Sequence, residues 1–272
     1  MKSFWKPGYL EKLKKPAFLP FAVLILGIVT AVFRLYFFNL GTDDRGLYPA
    51  GHLFDSMSWV YVAIAMVLLF IGTRKLGGLK KYEENFPAST VPALGTVLAA
   101  AAFCIAVIAE LAQPADIIQT TAAVLGFVAV AALLVLAWCR YIGLKPNMLL
   151  HTAVCVFLLI YLVSHYRLWS SYPQLQTYAF ELLAIVFTML AGYQRAAFDV
   201  DLGNRRDYAF FSLSALFFSI ATLPSCDNPV FFIGCAVWMF FTLCSLEPGE
   251  DEVAEEENTE AEEENTEAES AE

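Results

Sequence analysis

The sequence predicts an all-α fold, a polytopic transmembrane helical bundle of about eight spans with both termini on the cytoplasmic side. Three observations predict it. The 272 residues are 58% apolar and only 16% charged, whereas a soluble domain is roughly half apolar and a quarter charged, so a water-soluble enzyme is excluded. The apolar residues collect into eight runs, each near the roughly 20 residues that a hydrocarbon core about 30 Å thick requires of a helix. The bases, finally, alternate between connecting segments as the positive-inside rule demands.

Residues 1–16 carry five lysines interleaved with Phe4, Trp5, Tyr9, Leu10 and Leu13, the pattern of an interfacial segment lying on an anionic inner leaflet. The apolar run that follows is of full span length and shows no small-residue cleavage pattern before Arg34. It reads as a retained first span rather than a signal peptide. The spans are expected at residues 17–39, 57–76, 88–111, 117–141, 148–166, 175–195, 208–223 and 230–246. The last two are short and close together, which leaves a seven-span or re-entrant reading of that pair open.

With the N-terminus inside, the five leading lysines, Arg74, Lys75, Lys80, Lys81, Arg140, Lys145, Arg195, Arg205 and Arg206 all fall on the cytoplasmic side. These are 14 of the 17 bases. Only Arg34, Arg45 and Arg167 lie on or near the other side. Trp59 and Trp169 mark outer span ends and Trp5 and Trp138 inner ones, as an aromatic belt would; Trp238 is mid-span. Of the 27 acids, 14 lie beyond Leu246 without a single base among them, so the body keeps 13 acids against all 17 bases. That tail, residues 247–272, repeats EEENTEA at 255–261 and 262–268. With only Ala to form a seam it makes no coiled coil, and its charge density predicts disorder. It reads either as a tether for a basic partner or as a solvated repeat expansion.

Little in the spans resembles known chemistry. The six cysteines form no CxxC or Cys/His cluster, so zinc and dithiol redox sites are not expected. His151 and His165 share a face about 21 Å apart at the helical rise, a spacing that suits stacked haems. The third histidine, His52, lies in an outer loop, so facing ligands are missing. No nucleophile elbow, metalloprotease motif or Gly-rich phosphate loop occurs, and His52 with Asp55 is a weak dyad. No catalytic residue, metal or cofactor is therefore expected. The short basic loops are explained by topology, which argues against nucleic acid as a partner.

Charged residues inside spans are the better clue, since each costs about 2.5–3.5 kcal/mol at mid-helix. Arg34, Glu110 and Glu181 all fall in the outer half, near His165, Arg167 and the polar outer loop with Asp43, Asp44, Arg45, His52 and Asp55. Opposite charges at similar depth should pair, Arg34 with Glu181 first and with Glu110 second. Tyr36, Trp59, Tyr166, Trp169, Tyr172 and Tyr178 occupy the same level. Arg34, Glu110, Glu181, Trp59, Trp169 and Tyr178 are the candidate ligand-binding set: an amphipathic cup, or a structural ion pair beneath an aromatic belt. Thr177, Glu181, Ala184, Thr188, Gly192 and Arg195 align on span 6, and Ser212, Ala215, Ser219 and Thr222 on span 7. Such stripes serve either as a polar path or for close helix packing.

The runs WSSYPQL at 169–175, YAFELLA at 178–184, AGYQRAAF at 191–198 and AFFSL at 209–213 resemble a family of multi-pass membrane proteins of anaerobic Gram-positive bacteria. The resemblance spans residues 160–245 and implies a bacterial plasma membrane, with no activity attached. The expected function is a small-molecule or lipid binding or sensing protein with its pocket in the outer half. A small-solute or lipid transporter, an assembly subunit and a membrane enzyme are the alternatives. Membrane lipids are the expected partners, with a cytoplasmic or membrane protein as a second class.

Overall fold

The computed structural model describes residues 18–41, 53–74, 76, 80–112, 116–170 and 178–246. The basic segment 1–16, the outer-loop residues Asp43, Asp44, Arg45 and His52, the side chain of Asp55, Tyr172, Thr177 and the acidic tail 247–272 lie outside them. The chain forms α1 (Phe18–Gly41), α2 (Leu53–Thr73), the single-turn α3 (Tyr82–Asn85), α4 (Thr90–Ala112), α5 (Ile117–Ile142), α6 (Met148–Trp169), α7 (Ala179–Phe198), α8 (Arg205–Ala221) and α9 (Pro229–Leu243). Among the described residues there is no strand.

Local chemistry fixes the boundaries. The Asp116 carboxylate accepts from the Gln119 amide and starts α5, and Gly143, at φ 75°, ends it in the left-handed region where a side chain is disfavoured. Asn147 and Asn204 cap α6 and α8 by accepting from Leu149 and Arg206. Asn228 accepts from Phe231, with Pro229 opening α9 where its missing N–H costs nothing.

Helices α4 to α9 pack each on the next, and α9 returns to α4, which closes a six-helix ring. Both α1 and α2 lie against α8, so that helix is covered on nearly every side: thirteen of its 17 residues are buried. Small residues permit the close approaches. A Cβ on Gly95 would come within 2.2 Å of the Phe241 Cβ between α4 and α9.

The outside of the bundle is apolar. Phe21, Ile25, Val60, Leu68, Leu94, Ile108, Leu134 and Leu159 are all exposed, a surface suited to hydrocarbon rather than water. By length and composition, α1 over Leu19–Tyr36, α4, α5 and α6 are able to cross a membrane, while Trp59–Thr73 and α9 are shorter apolar helices. A membrane-type helical bundle is the fold.

Candidate functional site: a polar layer at the α8–α9 connection

Residues 222–228 link α8 to α9, and the side chains chosen from the sequence gather around this link. From α1, Arg34 donates through Nη1 to the Ala221 carbonyl at 2.8 Å and through Nη2 to Ser225 Oγ at 2.9 Å. Its guanidinium carbon lies 3.9 Å from the ring centroid of Phe180, a cation–π distance. Trp59 of α2 packs on the same ring at 5.7 Å. The next residue along α7, Glu181, is only 1% exposed, within reach of the Asp227 backbone amide and of the charge on Arg34. The Trp169 indole donates to Asp227 Oδ2 at 3.3 Å and stacks on Tyr178 with centroids 5.1 Å apart. Phe180 and Asp227 thus join Arg34, Trp59, Trp169, Tyr178 and Glu181 into one layer.

Glu110 approaches from α4. Its Oε1 lies 3.4 Å from His165 Nε2 and accepts from Asn228 Nδ2 at 3.4 Å, and the Tyr161 phenol stands beside it. His165 Nδ1 faces the Tyr161 carbonyl at 3.0 Å. A carbonyl only accepts, so Nδ1 carries a hydrogen there, and Nε2 would meet the carboxylate as a second acceptor unless one proton lies between them. Glu110 is thus engaged by His165 and Asn228. His165 also lies 5.3 Å from the Trp169 ring, which ties this group to the first.

The layer leaves the buried acceptor Glu181 Oε1 without a donor, while the Tyr161 phenol stands beside Glu110. An acceptor stranded from water costs about 1–3 kcal/mol, and native proteins leave few of them. No family model, curated protein or solved structure matches the chain. The layer has to be read from its own chemistry. Among the described residues no group of three or more His, Cys, Asp or Glu is placed to hold a metal, and all six cysteines are free thiols.

Phe180, Asp227 and Asn228 are the members that sequence reading missed. The signal for the last two was the polar cluster Ser225, Asp227 and Asn228 in the short link between two spans. The expected stripe on α7 is a single buried face: Glu181, Ala184, Thr188, Gly192 and Arg195 are all buried. At the opposite end of the bundle a second polar pair went unnoticed, His151 Nδ1 with Asp199 Oδ2 at 2.6 Å, both buried.

Proposed function

We propose that the chain is a multi-pass protein of a bacterial plasma membrane that binds or senses a small polar molecule or lipid headgroup in this layer. The single observation that carries the reading is Glu181, almost wholly buried with one carboxylate oxygen lacking a donor. Ionisable groups buried in a membrane bundle are expensive and most often mark functional sites. A ligand ammonium or hydroxyl would donate to Glu181, an anionic part would face Arg34, and Trp59, Trp169 and Tyr178 would wall the apolar remainder. Eight spans with cytoplasmic termini, supported by the alternation of 14 of 17 bases, turn the layer toward the outside. Glu181 and Trp169 are both fully enclosed, so the ligand enters as the α8–α9 connection shifts.

Native mass spectrometry of the protein released from nanodiscs tests this, with wild type compared against Glu181→Met. A one-to-one bound mass on wild type, absent from the variant, is expected, and that mass names the ligand class. If both release only bulk lipid at equal yield, the reading is wrong.

Transport is the second reading, favoured by one observation. Ser212 and Ser219 on the enclosed α8, and Thr222 just after it, are buried, and their hydroxyls have no partner among the described residues. They mark a path from the polar layer toward the opposite end. Counterflow of the ligand so identified across proteoliposomes decides between them: binding alone gives no counterflow.

A further inference from the structure

We infer that the end of the bundle opposite the polar layer holds a second site, an arginine-floored cleft that binds a phosphoryl oxyanion. The inference is independent of the layer around Glu181. The cleft is small, with about 20 Å³ of cavity volume, and its lining includes Tyr82, Arg140, His151, Arg195, Tyr208 and Trp238. Arg140 and Arg195 are 4% and 7% exposed. Each is delivered by the last turn of a helix, α5 for Arg140 and α7 for Arg195.

Two like charges are held together here. The guanidinium carbons lie 5.2 Å and 3.4 Å from the centroid of one ring, that of Phe86, and the two charges repel. Only part of their hydrogen-bonding capacity is used. Arg140 Nη2 donates to Ser245 Oγ at 3.1 Å and the Tyr82 phenol stands beside the same guanidinium, but Arg140 Nε, Arg140 Nη1 and Arg195 Nη1 have no acceptor in good geometry. Asp199 does not line the cleft, and its Oδ2 is held by His151 Nδ1 while its Oδ1 has no hydrogen-bond partner; Asp201 is paired with Lys145 at the surface. Two buried guanidiniums therefore share at most one buried counter-charge.

Buried charge without a partner costs several kcal/mol per ion, so the arrangement calls for an anion that accepts from both forks. A phosphoryl group fits: it offers several strong acceptor oxygens and up to two charges, and arginine is suited to its bidentate recognition. The same chemistry is supplied by free phosphate or a soluble phosphate ester, or by the headgroup of an anionic lipid.

The full-length protein in phosphatidylcholine nanodiscs is titrated with inorganic phosphate, against sodium chloride at matched ionic strength, and thermal unfolding is followed. A saturable rise in Tm of about 5–10 °C is expected once phosphate exceeds its Kd about a hundredfold. Arg140→Met abolishes the rise, while Lys145→Ala, which removes a surface charge at the same end, keeps it. Should Arg140→Met fail to fold, Arg140→Lys keeps the charge but loses the fork, and raises the half-maximal phosphate concentration about tenfold or more. In nanodiscs containing phosphatidylglycerol, a phosphate response that persists assigns the site to free phosphate or its esters. Loss of that response, with one phosphatidylglycerol retained on wild type but not on Arg140→Met in native mass spectra, assigns it to the lipid headgroup. The inference is overturned if phosphate does no more than chloride and no phosphatidylglycerol is selectively retained, because the guanidiniums are then satisfied by water. It is equally overturned if Arg140→Met keeps the full response.

Discussion

Replacing Glu181 by methionine separates a ligand seat from a structural ion pair, because the two roles predict opposite effects on stability. Methionine is close in shape to glutamate and carries no charge or strong acceptor. A carboxylate neutralising Arg34 as a structural partner would leave an uncompensated buried guanidinium when removed, at a cost of about 3–5 kcal/mol. Arg34, however, already donates to the Ala221 carbonyl and Ser225 Oγ and lies over Phe180. Glu181 Oε1 has no donor to lose, and Asp227, whose amide faces Glu181, is itself an exposed residue. Removing a stranded acceptor recovers about 1–3 kcal/mol, offset by about 1 kcal/mol for the amide contact. Glu181→Met is therefore expected to be neutral or stabilising by up to about 2 kcal/mol. At roughly 2–4 °C per kcal/mol, the variant should unfold at or several degrees above the wild-type temperature. A structural pair would lower it by about 6–20 °C. Thermal unfolding in detergent, followed by tryptophan fluorescence, reads the difference. A fall of that size would refute the ligand-seat reasoning.

Two further predictions concern packing and surface charge. Gly95→Ala places a methyl 2.2 Å from the Phe241 Cβ, an atom that cannot yield without moving α9, and should cost about 1–3 kcal/mol. Gly72→Ala meets nothing closer than Leu19 Cδ1 at 3.8 Å and should be neutral or up to about 1 kcal/mol stabilising through helix propensity; unfolding of the pair side by side checks both. Asp201 accepts from Lys145 and from the Tyr82 amide, which hold its carboxyl below the usual aspartate range. Its contribution is thus present above the unfolded value of about 3.9 and is lost as pH falls through the lower folded value. Asn tolerates the left-handed backbone that Asp201 adopts at φ 58°, so Asp201→Asn isolates the charge. Wild type should be the more stable at pH 7 and low salt, with the gap closing toward pH 3 and in high salt; a gap independent of both would refute the pairing.

The helices were legible in the sequence wherever apolar length and capping coincide. The run expected at 117–141 is α5 within one residue, because Asp116 starts it and Gly143 stops it. The run expected at 208–223 begins earlier, at Arg205, since the Asn204 cap admits two arginines that an apolar count rejects. Arg34, Glu110 and Glu181 could be found because charge within a span is rare. Their partners could not: Arg34 reaches a carbonyl 187 positions away, and Glu110 an amide 118 positions away, contacts that only the ring closure creates. Arg140 and Arg195 were hidden for another reason. The positive-inside pattern already accounts for bases at those span ends; the stripe on span 6 put Arg195 on the face with Glu181, but nothing paired either arginine with Phe86. Phe180 was similarly masked by the apolar run in which it sits.

The sidedness of the bundle is the claim on which both sites depend, and cysteine labelling tests it most directly. Ile117 at the start of α5 is 82% exposed on the Glu181 side, and Leu202 between α7 and α8 is 77% exposed at the Arg195 end. Each is replaced by cysteine in a background lacking the six native thiols, none of which is in the exposed class. A membrane-impermeant maleimide added to intact cells should label Ile117→Cys, and should reach Leu202→Cys only after permeabilisation. Labelling of both positions from one side would contradict a bundle that crosses the membrane, and the reverse pattern would turn the polar layer toward the cytoplasm.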